Sequence, residues 1–234
     1  MSENLKLEYI ECWYQSGCNV YQPNCYKTCH RYLEMHYLIS NCGMKNASKY
    51  IKPIIPENCD IDAYTSLQEI KDNIVPFVEQ GRDLYIASKN FGNGKTTWAL
   101  KLMYKYFDEI WCGNGFTVRG YFIHVPTFLN KLRTFSYRQT EEYHLLDNVL
   151  TNCDLVIWDD ISAMELNPNE QNNLLIYIDQ RNLKDKSNIY TGNLLNGDLE
   201  KAVGSKLSNR IWENSTIVEL RGIRRINDNS STGS

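Results

Sequence analysis

The sequence predicts an α/β fold built on a parallel sheet, and three observations carry that prediction. Two short apolar runs, Leu84-Tyr85-Ile86-Ala87 and Leu155-Val156-Ile157-Trp158, read as strands buried on both faces. The first leads into the glycine-bearing stretch Ser88-Lys89-Asn90-Phe91-Gly92-Asn93-Gly94-Lys95-Thr96-Thr97 and then a helix-like pattern, Trp98-Ala99-Leu100-Lys101-Leu102-Met103. The second ends in a pair of acids, Asp159-Asp160. Strand, glycine-rich loop and helix in that order are the setting a phosphate-binding loop requires. Acids at the carboxyl end of a neighbouring strand lie where such sheets bind their ligands.

Each part of the loop has an expected task. Gly92 and Gly94 let the backbone turn its N–H groups inward around a triphosphate. Lys95 reaches the β and γ phosphates, Thr96 offers a hydroxyl to Mg²⁺, and the helix N-terminus beginning near Thr97 adds a favourable dipole. Asn90 and Asn93 complete the expected nucleotide contacts. The usual motif opens with Gly, where this chain has Lys89. Asp159 is the expected Mg²⁺-side carboxylate and Asp160 the base that orients the attacking water.

The remaining strands follow the same logic. Asn188-Ile189-Tyr190-Thr191-Gly192-Asn193 is a β run ending in polar residues; Asn193, with Thr191 second, is the candidate amide near the γ-phosphate. Gly204 to Ile211 carries Arg210 on a helical stretch, followed by a strand over Ser215 to Leu220 and then Arg224 and Arg225. An arginine on an exposed helix can reach a neighbouring subunit's nucleotide, and a plain surface role is the competing reading. Gly120 to Val125 is a further β run, and Pro126 suits the first turn of the helix after it. There Lys131, Arg133 and Arg138 interleave with Phe135 and Tyr137, either as a path for single-stranded DNA or as a solvated face with core aromatics. Asp62 to Gln80 reads as one helix bent at Pro76. His124 reads as an ordinary strand residue, and Cys59, Cys112 and Cys153 as small buried hydrophobes.

The chain has 234 residues, 42% of them hydrophobic and 23% charged, room for one α/β domain and a small appendage. The net charge of −3 excludes a generic nucleic-acid-coating protein, so any DNA contact must come from a local patch. No apolar run approaches a membrane span, and a cytoplasmic location is expected. Residues 51–60, with Pro53 and Pro56, read as an extended linker. The tail, 227–234, is small and polar and reads as disordered.

The front end differs in character. Cys12, Cys18, Cys25 and Cys29 fall in a C-x5-C-x6-C-x3-C pattern, which can close a tetrahedral Zn²⁺ site, with His30 or Cys42 as alternative ligands. Free thiols and disulfides are the competing readings, and the absence of an apolar leader argues against disulfides. A segment of this size, residues 1–50, would draw much of its folding free energy from the metal. The run Tyr32 to Ile39 has helical apolar spacing and reads either as a contact surface for a partner or as packing on the zinc knuckle.

Taken in order, Lys95, Asp159-Asp160, Thr191-Gly192-Asn193 and Arg210 resemble the AAA+ ATPases. The closing segment from Gly204 through Arg210-Ile211 to Ile217-Val218-Glu219-Leu220 resembles the DnaC/DnaI-type helicase loaders, particularly phage-encoded ones. The resemblance covers about residues 60–226, so the ATPase domain is expected over 61–226. It implies a five-stranded parallel α/β ATPase with ATP and Mg²⁺ as cofactors. It also implies a replicative helicase and single-stranded DNA as partners, and a homo-oligomer when ATP- or helicase-bound. Carried over by position, Asn193 is the first sensor, Arg210 the inter-subunit finger and Arg224 or Arg225 the second sensor. DnaI-type loaders carry a small zinc-bearing N-terminal domain that contacts the helicase, and residues 1–50 are similar in placement. Two departures matter: Asp160 stands where Glu is common, implying slow hydrolysis, and Lys206 stands where the loaders often have Arg. Two rivals remain: an IstB-type transposition helper ATPase, and a non-catalytic adaptor that binds nucleotide as a structural ligand.

Overall fold

The computed structural model describes Cys18 and residues 29–44, 58–112 and 115–222. Five strands, β1 (Asp83–Ala87), β2 (Gly120–His124), β3 (Leu155–Asp159), β4 (Ser187–Gly192) and β5 (Ser215–Glu219), pair in parallel in the order β2-β3-β4-β1-β5. Helices cover both faces, so β1, β3 and β4 are buried along their whole length, as their unbroken apolar or small-residue runs require.

Alternate strand residues feed two cores. Leu84, Ile86, Phe122, Leu155, Ile157, Ile189 and Val218 pack under α1 (His30–Ser40), α2 (Ile61–Asp72), α3 (Ile74–Glu79) and α4 (Lys95–Ile110). Tyr85, Ala87, Ile123, Val156, Trp158 and Tyr190 pack under α5 (Val125–Leu132), α6 (Glu141–Asn152), α7 (Pro168–Asn182), α8 (Asn196–Val203) and α9 (Ser205–Asn214). This is the period-2 alternation of a sheet buried between two helical layers.

Several expectations change. The stretch from Asp62 to Gln80 is two helices broken at Asn73. Pro76 has no N–H for the carbonyl of Asp72, and its ring crowds that carbonyl, so the break falls before the proline. The segment after Pro126 is also split, into α5 and a 3₁₀ turn, Phe135–Gln139. Cys59 and Cys112 are exposed, unlike Cys153, because one sits in the 3₁₀ turn before α2 and the other just beyond α4.

The described part of the cysteine-rich segment packs on the α/β core. Met35, Leu38, Ile39 and Cys42 of α1 and its C-terminal turn join the core beneath α4, and Arg31 pairs with Asp108 at 2.6 Å. Phe122 N–H donates to the Cys42 carbonyl at 2.8 Å. Among the described residues, the buried apolar face of α1 is therefore turned to α4. Cys12 and Cys25, the linker residues 51–57 and the tail lie outside the described residues.

At the amino end of the sheet lies a buried polar network. Arg181, fully buried, donates to the carbonyls of Leu150, Cys153, Asp154 and Ser187 and to Asn188 Oδ1. Asn188 in turn donates its backbone N–H to Asp83 Oδ1 at 2.7 Å and its side-chain amide to both Asp83 oxygens. Burial pushes the Asp83 carboxyl up to about 7 against these hydrogen bonds. Among the described residues, no helix is long and apolar enough to cross a membrane.

Candidate functional site

The site lies at the carboxyl edge of the sheet, where β1, β3 and β4 end side by side. Gly92 and Gly94 sit at φ +74° and +105°, left-handed conformations open to glycine, and α4 begins directly at Lys95. The Trp98 N–H closes the first helical turn on the Gly94 carbonyl at 2.8 Å, leaving the earlier N–H groups for a ligand. Lys95 is 6% exposed and its Nζ donates to the Asn90 carbonyl at 3.3 Å. Burial lowers its pKa while Asp160 and then Asp159 raise it, so the ammonium is poised for an anion that replaces lost solvent.

Thr96, Asp159 and Thr191 meet in one knot. Asp159 Oδ1 accepts from Thr96 Oγ1 at 2.8 Å and from Thr191 Oγ1 at 2.7 Å. Asp159 is 5% exposed, and burial raises its pKa against those two bonds. A divalent cation beside it would restore the favoured charged form, so the carboxylate and the Thr96 hydroxyl fit Mg²⁺. β3 and β4 are neighbours in the sheet, which is why the ends of two strands supply adjacent hydroxyl and carboxylate.

Asp160, the residue after β3, has φ +57°, a left-handed conformation Asp tolerates better than most side chains. Its N–H donates to Thr191 Oγ1 at 3.0 Å, and the next N–H, of Ile161, donates to the Thr191 carbonyl at 2.9 Å. That anchoring turns the Asp160 side chain out of the strand direction and toward His124, whose Nε2 is 3.7 Å from Asp160 Oδ2. His124, Asp159 and Asp160 form the one His/Cys/Asp/Glu group among the described residues compact enough for a metal ion. His124 is thus part of the site rather than an ordinary strand residue. It was hidden in the sequence because its position depends on β2 pairing with β3, His124 opposite Asp159.

Asn193 follows β4. Its N–H donates to Ser162 Oγ at 2.9 Å, while its buried Oδ1 has no partner among the described residues, an acceptor open to a ligand or water. Asn90 and Asn93 have their side chains tied within the protein. Asn90 Nδ2 donates to the carbonyls of Arg221 and Gly222, and Asn93 Nδ2 to Ser88 Oγ and to the Leu220 carbonyl. These amides tie the loop to the main chain beyond β5 and to Ser88. Ser88, which also accepts from the Asn90 N–H at 3.1 Å, organises the loop and was not singled out in the sequence.

Arg210 stands on α9, where its Nε donates to Asp179 Oδ1 of α7 at 2.8 Å on an exposed face, turned to α7 rather than to the phosphate-binding loop of its own chain. Two cations of the basic stripe are paired locally, Lys131 with Glu142 and Arg133 with Glu170, while Arg138 donates to the uncharged amide of Asn173. Cys42, an alternative zinc ligand, is fully buried; its Sγ donates to the Ile39 carbonyl and burial pushes the thiol up, so it is held as a thiol rather than a zinc-binding thiolate. His30 Nε2 faces Glu34 Oε1 at 3.1 Å. Arg224, and Cys12 and Cys25 of the zinc set, lie outside the described residues; Cys18 and Cys29 are half-buried.

No family model matches the sequence, and no curated protein sequence matches it. Solved structures do. The fold superposes on the crystal structure of the DnaC helicase loader with a TM-score of 0.62 at 19% identity, over 76% of this chain and 99% of that one. It superposes on the crystal structure of DnaI with a TM-score of 0.57 at 15% identity, over 76% and 89% of the two chains. The replication initiator DnaA bound to AMPPCP and single-stranded DNA matches with a TM-score of 0.55 at 17% identity, over 72% of this chain and 48% of that one. At these identities the likeness establishes the fold alone: the chain carries a five-stranded parallel α/β architecture like that of these solved domains.

Proposed function

We propose that the chain is a nucleotide-switched ATPase of replication initiation, acting as a loader for a replicative helicase. The observation that carries the nucleotide half is the meeting of Thr96, Asp159 and Thr191 beside the buried Lys95. Lys95 and the loop N–H groups bind the triphosphate, and Thr96 with Asp159 holds Mg²⁺, which when bound neutralises charge on the β and γ phosphates. Asp160 accepts the proton of the attacking water, and Asn193 Oδ1 orients that water. With a carboxylate one methylene shorter than Glu, hydrolysis is slow, well below the common enzyme median of about 10 s⁻¹. Arg210 completes the site of the neighbouring copy in an ATP-bound assembly. The loader half rests on the likeness to DnaC and DnaI and on the order of motifs. In this reading the cysteine-rich segment, folded around Zn²⁺, docks on the helicase, and the α5 region with Lys131, Arg133 and Arg138 meets single-stranded DNA.

The test is size-exclusion chromatography with light scattering on the protein mixed with the replicative helicase, with and without ATP and Mg²⁺. A complex that responds to nucleotide and is altered by Lys95→Ala supports the loader. No complex under any nucleotide condition refutes it and favours a transposition helper or a nucleotide-bound adaptor.

A further inference from the structure

Asp60 occupies the cap position before α2, where a carboxylate ordinarily accepts from the first free N–H groups of the helix. Here it makes no such bond. The side chain, 3% exposed, instead turns to the strand that leaves β5: Oδ1 accepts from the Arg221 N–H at 2.6 Å, and both oxygens accept from the Gly222 N–H at 3.1 and 3.0 Å. The carbonyls of these same two residues accept from Asn90 Nδ2 at 3.1 and 2.9 Å, and the Leu220 carbonyl accepts from Asn93 Nδ2 at 3.3 Å. The Asn90 carbonyl in turn accepts from Lys95 Nζ.

From this chain of contacts we infer that Asp60 is a positioning residue for the phosphate-binding loop, acting through the main chain of Arg221 and Gly222. The inference rests on the nucleotide-binding reading of that loop. Three segments far apart in sequence are joined: the turn before α2, the exit of β5 and the loop between β1 and α4. One carboxylate accepts from two main-chain N–H groups, which holds the carbonyls of the same two residues toward Asn90 and so fixes the height of the loop backbone. Linkage makes the effect reciprocal: a nucleotide that orders the loop also tightens the hold on Asp60.

Two measurements decide it. Hydrogen exchange on the free protein reads the amides of 89–94; Asp60→Asn, which keeps shape but not charge, is expected to speed their exchange, and unchanged exchange overturns the inference. Titration with a fluorescent ATP analogue is then run on the wild type, Asp60→Ala, Asn90→Ala and the double variant. Loss of charge-assisted hydrogen bonds predicts an affinity about tenfold weaker for Asp60→Ala. If Asp60 acts through Asn90, the double variant binds no more weakly than the worse single one; additive losses mean a general structural role and overturn the proposal. A wild type that binds no nucleotide sinks the nucleotide reading, while the exchange measurement still judges the clasp.

Discussion

Asp83→Asn should change how stability depends on pH, and the sign follows from the structure. The Asp83 carboxyl is lifted from its ordinary value to about 7, burial outweighing the hydrogen bonds from Asn188 and the attraction of Arg181. The folded state therefore holds the proton more tightly than the unfolded chain, whose Asp titrates at about 3.9. The group's contribution to stability is complete below that unfolded value, declines as pH rises through the folded value near 7, and is flat above it. At 1.36 kcal/mol per unit, the wild type should lose about 3 kcal/mol between about pH 4.5 and 8 from this residue alone. The amide introduced by the substitution cannot ionise, and its oxygen can still accept from the Asn188 N–H. The assay is urea unfolding of both proteins across that range, read as the difference between them so that all other titrating groups cancel. The variant should gain on the wild type steadily with pH. A constant difference would refute the assignment of a neutral, buried carboxyl at the foot of β1.

Asp160→Asn should reduce ATP turnover about a hundredfold or more while leaving nucleotide affinity within about a factor of two, because the side chain takes a proton rather than holding phosphate; equal losses in both would remove it from the chemistry. Arg210→Ala should abolish any rise in turnover per subunit with protein concentration, a loss of about a hundredfold in the assembled state, and an unaltered concentration profile would leave Arg210 as a surface partner of Asp179. Elemental analysis of the purified chain should find zinc bound in a one-to-one ratio and lost on Cys18→Ser with Cys29→Ser; a metal-free, folded wild type would retire the zinc reading.

How much of this was legible in the sequence depends on the range of the interaction. The phosphate-binding loop and the ends of β3 and β4 were readable because glycine, lysine and paired acids carry local signals, and β1 and β3 because residues buried on both faces form unbroken apolar runs. His124 was not, since its chemistry comes from a neighbour strand that no local pattern names. That the side-chain amides of Asn90 and Asn93 face the main chain was not readable, because an amide on such a loop looks the same in sequence whichever way it turns. The Asp83, Arg181 and Asn188 network left no trace, because its members come from three elements that meet only in the folded chain. The capping box Asn167-Pro168-Asn169-Glu170, by contrast, was present to be read as the start of α7.

The sheet order has a consequence for how the chain is made. β1, which leads into the Gly92–Gly94 loop, pairs with β4 and β5, the last two of the described strands to leave the ribosome. At about 5–20 residues per second, β1 waits on the order of ten seconds with both edges bare. Its apolar run is an unpaired template throughout that interval. Synthesis, rather than the finished fold, is therefore where β1 is most exposed to aggregation, and a nascent chain halted before β5 lacks the main chain that holds Asn90 and Asn93.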